Sequence, residues 1–178
     1  MSSNNIIVRT TSNDNSKSGY GRYIWMFFIA FPFVMQGFKI EEMSSQKEAI
    51  ILPIEAQLSI NNRAIQLEVA RTKTAISRGL TYREKIPDNQ GMLYQDNFTI
   101  NSFFTGKGNK IVTELLFLDN NKIVDIQTVQ PCNEDKCLEY RSNQKYQQVV
   151  EIKAGISNLL DMKVDSRVDI KYLPKNGI

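Results

Sequence analysis

Four charged residues stand where type and spacing bear on chemistry: Arg78, Arg83, Lys107 and Glu114. Glu114 interrupts an apolar run, between Val112 and Leu115-Leu116. Apolar neighbours raise a carboxyl pKa unless a cation pairs with it. A carboxylate and a lysine suffice for general acid–base work, so Glu114 with Lys107 would serve a weak hydrolase or transferase. Arg83 lies in a loop before Gly91, where its guanidinium would grip a carboxylate or phosphate through two hydrogen bonds. Structural readings stand beside these. Arg78, next to Gly79 at a helix end, complements the helix dipole. Arg83 would instead pair with Glu84, Asp88 or Glu114, and Glu114 would lie on an exposed strand face.

Composition removes most other chemistry. The 178 residues include no histidine, which excludes serine triads, cysteine–histidine pairs and histidine-ligated metals. Two cysteines cannot build a four-thiolate zinc or iron–sulfur site in one chain. A formal charge of +3 is too small to argue for nucleic acid. There is no glycine-rich phosphate loop and no Gly-x-Ser-x-Gly elbow, and Gly106-Lys107-Gly108 is too short for a phosphate cradle. Only one carboxylate is marked by position, so a two-carboxylate glycosidase has no support. No cofactor and no metal are expected, and a catalyst is the lesser expectation.

The N-terminal third carries an address. Residues 1–22 are polar and rich in Ser and Asn, the composition of a disordered tail. Residues 23–40 enclose an uncharged run, YIWMFFIAFPFVMQGF, from Tyr23 to Phe38. As a helix that run spans about 24 Å against roughly 30 Å of hydrocarbon. Arg9, Lys17 and Arg22 precede it and Glu41, Glu42 and Glu48 follow, which places the later residues outside the cytoplasm. Tyr23 and Trp25 suit an interfacial anchor, and no clean small-x-small cleavage site follows. A retained single-pass anchor is therefore expected, with a cleaved signal peptide as the alternative. Residues 41–50 read as a linker.

Residues 51–178 read as one domain with a net charge of +2, from seventeen basic and fifteen acidic residues. Ile54–Ile60 and Ala64–Ala70 flank Asn61-Asn62 as a hairpin, with Gln66 and Glu68 on its wet face. Thr72–Leu80 reads as a short helix capped by Thr72 and ended near Gly79. Ile111–Leu118 and Lys122–Val129 flank Asp119-Asn120-Asn121 as a second hairpin. Gln147–Ile152 and Arg167–Tyr172 read as strands, and Gly155–Met162 as a second short helix. The expected class is α+β: a compact, rolled, mostly antiparallel sheet of six to seven short strands with two short helices, behind the N-terminal hydrophobic helix. Cys132 and Cys137 frame four residues, unlike the two of a thioredoxin motif. In an exported domain they would pair as a disulfide that shapes a loop. A two-cysteine metal or redox switch is the alternative, with further ligands from carboxylates or a second chain.

Five ordered blocks resemble the DUF192 family, also called UPF0127. They are Ile65-Gln66-Leu67-Glu68-Val69-Ala70-Arg71-Thr72, Ser77 through Glu84, Gly91-Met92-Leu93-Tyr94, Leu116-Phe117-Leu118-Asp119, and Pro131-Cys132 with Cys137 and Tyr140 leading to Val149-Val150-Glu151-Ile152 and Ala154-Gly155. The resemblance covers about residues 60–172 and suggests an exported, cyanobacterial-type member. It implies a compact β-rich α+β domain of uncharacterised biochemical role. Such proteins usually carry a Phe-Trp-Met-Lys-Asn-Thr block and then an apolar-Pro-Leu-Asp stretch. Aligned without gaps, this chain has Phe104-Thr105-Gly106-Lys107-Gly108-Asn109 and Ile111-Val112-Thr113-Glu114. Lys107 keeps the lysine position and Glu114 replaces the aspartate, while the tryptophan, methionine, asparagine and proline are absent.

The sequence thus reads as a DUF192-type extracytoplasmic domain tethered through residues 23–40. It would act as a binding or accessory module for an unknown ligand or protein. The rivals are the weak hydrolase or transferase using Glu114 and Lys107, and a structural module whose edge strand pairs with a partner.

Overall fold

The computed structural model describes residues 47–174 apart from 100 and 134. The expected tail, the hydrophobic segment and most of the linker lie outside the described residues. No helix among those described is long and apolar enough to cross a membrane.

Alternating apolar residues and asparagine turns build the first hairpin. Strands β1 (Ile54–Ile60) and β2 (Arg63–Ala70) pair antiparallel around Asn61 and Asn62. These hold φ of 50° and 61°, a region asparagine tolerates. Helix α1 (Lys73–Arg78) follows, with the Thr72 hydroxyl accepting from the Ala75 N–H at 3.1 Å. The chain then adds β3 (Gln90–Tyr94), β4 (Phe104–Thr105), β5 (Thr113–Asp119) and β6 (Lys122–Val129). Asn120 and Asn121 make the β5–β6 turn at φ 48° and 60°. Last come β7 (Glu139–Tyr140), β8 (Gln148–Lys153), α2 (Ile156–Leu159) and β9 (Asp169–Tyr172).

Seven strands form one sheet in the order β6-β5-β8-β3-β2-β1-β9, and β4 pairs with β7 separately. Only β2 and β3 run parallel, joined through α1. The sheet curls until its edges meet: Ile123 donates to the Ser166 carbonyl and Val168 to the Asn121 carbonyl, each at 2.9 Å. The rolled, mostly antiparallel expectation is met, with two short helices. The second is one turn rather than the expected Gly155–Met162.

Both faces of the central strands are covered. Leu93, Leu116, Leu118, Val150 and Ile152 pack with Ile156, Leu160 and Met162 on one face. Met92, Tyr94, Leu115, Phe117 and Val149 pack with Ala75, Leu80, Ile86 and Tyr146 on the other. Sheets covered on both faces lose the apolar–polar alternation that marks a wet face. That corrects one reading. Gln66 is exposed as expected, but Glu68 is buried at 3% exposure beneath the second layer.

Gly79 ends α1 at φ 48°, and a β-carbon there would sit 2.2 Å from the Tyr94 hydroxyl oxygen. Gly79→Ala is therefore expected to destabilise the domain by about 2 kcal/mol or more, from positive-φ strain and displacement of Tyr94. Thermal or urea unfolding of the variant measures it.

Candidate functional site

The register of the sheet places two acidic residues in one row. Glu68 is opposite Met92, and Met92 is opposite Glu151. With strands about 4.8 Å apart, the two glutamate Cα atoms are roughly 10 Å apart with Met92 between. Both are buried on the face that α1 and its following segment cover.

Arg83 reaches this face from that segment. Its Nη1 and Nη2 each donate to Glu68 at 2.7 Å, and Nη2 also donates to the Ile50 carbonyl at 2.7 Å. The Leu52 N–H completes the Glu68 carboxylate at 2.7 Å. The pair is bidentate and under a tenth exposed on both sides. Among the described residues, Arg83 Nε is buried without a hydrogen-bond partner.

Glu151 accepts from the Tyr94 hydroxyl at one oxygen and from the Thr113 hydroxyl at 2.7 Å at the other. Burial pushes its carboxyl above the usual range, against the hydrogen bonds of Tyr94 and Thr113, the Asn109 amide and the Arg83 charge. Asn109 is buried, and its amide nitrogen has no hydrogen bond of good geometry, but it lies close enough to Glu151 to favour the carboxylate. Burial, and then the Glu151 charge, hold the Tyr94 phenol well above its ordinary value. Tyr94 is consequently a donor and not a base.

Asn109 is delivered by the loop Gly106-Lys107-Gly108, which is stitched on two sides. Cys132 donates to the Gly106 carbonyl at 2.8 Å, and Gly108 donates to the Cys132 carbonyl at 3.0 Å. From the other side, the Tyr82 N–H donates to the Gly108 carbonyl at 2.8 Å. The approach is so close that a β-carbon on Gly106 would lie 1.8 Å from the Gln130 carbonyl oxygen. Cys132 is bonded to Cys137, as expected from the sequence. The disulfide therefore backs the loop that carries Lys107 and Asn109.

The four residues singled out in the sequence are not brought together. Arg83 is in the buried pair, its partner being Glu68 rather than Glu84, Asp88 or Glu114. Glu114 is buried, but its oxygens accept from the Gly155 and Ser157 N–H groups at 2.8 and 3.1 Å, capping α2. Arg78 is half-buried at the end of α1 and donates to the Glu48 carbonyl at 2.8 Å. Lys107 is exposed, and among the described residues no hydrogen bond or ion pair joins it to Glu114. The residues that do converge, Glu68, Tyr94, Asn109, Thr113 and Glu151, had one legible signal. Glu151 interrupts the apolar run Val149-Val150-Ile152 as Glu114 interrupts its own strand.

These features define a class: a curled β-rich domain with a buried polar cluster under a disulfide-backed loop. The family model DUF192, described as an uncharacterized ACR, matches residues 56–170. The chain belongs to the DUF192 family. Two crystal structures share the fold at 20% identity. One is a Sinorhizobium meliloti 1021 protein provisionally assigned as a transcription regulator, with a TM-score of 0.57 over 68% of this chain and 97% of that one. The other is a Novosphingobium aromaticivorans DSM 12444 protein of unknown function, with a TM-score of 0.55 over 65% and 83%. No curated protein matches.

Two outcomes test the cluster. Because the folded Glu151 carboxyl is raised above its ordinary value of 4.5, folding favours its protonated form. Stability from this group is present below that value and is lost as pH rises through the folded pKa. Glu151→Gln should flatten that decline, as read from unfolding midpoints across mildly acidic to neutral pH. Replacing both Cys132 and Cys137 by Ser should cost about 2 kcal/mol by the loop-length relation. Amide hydrogen exchange of the double variant should quicken at Gly108, Asn109 and position 132 before the rest of the sheet.

Proposed function

We propose that this DUF192 chain is a membrane-tethered extracytoplasmic binding or accessory module rather than a catalyst. One observation carries the reading. Among the described residues, all six oxygens of the buried carboxyls Glu68, Glu114 and Glu151 accept hydrogen bonds from the protein itself. A general acid or base must keep an oxygen within reach of substrate. Glu114, the carboxylate of the rival hydrolase, has each oxygen bonded to a backbone N–H at the start of α2, and among the described residues no hydrogen bond or ion pair joins it to Lys107.

The export half of the reading is supported by chemistry of two kinds. A disulfide persists in oxidising, extracytoplasmic surroundings. The uncharged run Tyr23–Phe38 has its positive flank on the N-terminal side. The domain then projects from the outer face of the membrane on the linker 41–50.

The test is cross-linked affinity capture of the full-length chain from membranes, with Glu114→Gln alongside. Both proteins should retain the same bound molecule or partner, in the membrane fraction, with the domain digested when protease is added to intact spheroplasts. Loss of a turnover activity in Glu114→Gln at unchanged unfolding midpoint would overturn the module reading. Protection of the domain from external protease would overturn the topology.

A further inference from the structure

A solvent-open groove of about 550 Å³ lies away from the buried cluster, lined by Gln95, Asp96, Asn120, Asn121, Gln147 and Gln148. It lies where β3 and β5 end and β8 begins, so three strand termini supply its wall. The backbone of that wall is tied into the sheet. Gln95 donates to the Ala70 carbonyl at 3.0 Å, Gln147 to the Leu118 carbonyl at 2.8 Å, and the Asn121 carbonyl accepts from Val168 at 2.9 Å. Tethered backbone at each lining segment means little ordering remains for a ligand to impose.

Five of the six lining side chains are carboxamides, and the sixth is a carboxylate. A carboxamide offers donors and an acceptor side by side, as a hydroxyl is both donor and acceptor. Adjacent hydroxyls of a sugar ring match that set. An anionic ligand finds no lysine or arginine in this lining, and an apolar one finds no aliphatic side chain. The side chains of Asn120, Asn121 and Gln147 make no hydrogen bond to other described residues, so their donors and acceptors face solvent. Gln95 is held in place, accepting from Arg71 Nε at 3.0 Å and donating to the Tyr172 hydroxyl. Gln148 donates to the same hydroxyl at 3.3 Å. Tyr172 is 48% exposed, and its hydroxyl joins the Gln95 and Gln148 amides on the groove wall. The volume falls within the range of about 300–1,000 Å³ typical of small-ligand sites.

We infer that this groove is the ligand site of the module and that it takes a neutral saccharide. The inference rests on the binding-module reading and supplies its ligand class. Asn120 and Asn121 serve twice, as the residues that tolerate the turn and as hydrogen-bonding groups on the groove wall.

The experiment is saturation-transfer NMR on the full-length chain in a sugar-free detergent. Cellobiose and N,N′-diacetylchitobiose are the neutral probes, and digalacturonic acid is the anionic one. At least one neutral probe should receive saturation on its ring protons. Asn121→Gly combined with Gln148→Ala should weaken that binding about tenfold, the loss expected of one or two hydrogen bonds. Gln147→Ala, which removes no hydrogen bond within the domain, should weaken it in the same direction if the double variant does not fold. Absence of transfer to both neutral probes overturns the inference. So does unchanged binding in folded variants, or equal transfer to digalacturonic acid. A negative result here, with a partner still returned by affinity capture, overturns the saccharide assignment and leaves the module reading standing.

Discussion

The Glu68–Arg83 pair is the interaction on which the rest of this domain depends. Once α1 and its following segment cover the second face of the sheet, Glu68 cannot reach water. A lone buried carboxylate would cost several kcal/mol, and breaking such a pair by removing one partner costs about 3–5 kcal/mol. The solution is a bidentate guanidinium that also binds the Ile50 carbonyl. One side chain thereby joins β2, the segment before β1 and the segment after α1. Its charge also favours the ionised form of Glu151.

From that constraint the cluster follows outward. Glu151 shares the row with Glu68 but receives no cation of its own. Its oxygens are met by Tyr94 and Thr113, with Asn109 nearby. Asn109 comes from a loop that the disulfide segment holds against Tyr82. The proposed saccharide groove and a buried cluster whose carboxyl oxygens all accept hydrogen bonds from the protein are compatible with one division of labour. The cluster organises the interior and the sheet end meets the ligand, in keeping with sites built from loops on a rigid scaffold.

The block 104–109 also has a physical reading. Gly106 lies against the Gln130 carbonyl, where a larger residue would not fit without displacement. The glycines let the loop sit down on the Cys132 segment, and Asn109 supplies a buried amide at the end of the block. The block is thus occupied structurally in this chain, with Lys107 left on the surface.

Local information alone determined the hairpins, the cap and end of α1, the disulfide and the family. Turn asparagines, alternation over six to eight residues and a threonine cap act through neighbours in the chain, so sequence carries them. Ile54–Ile60 and Lys122–Val129 have the bounds read from the sequence for that reason. Tertiary structure decided which polar residues are buried. Glu68 looks solvent-facing in β2 because its alternation partner Gln66 is so, and only the layer contributed by α1, Leu80 and Ile86 reverses that. Arg83 has acidic neighbours at Glu84 and Asp88, yet it pairs fifteen residues back. Strand register and two-sided coverage fix such choices, and they arise from contacts between distant segments that spacing along the chain does not encode.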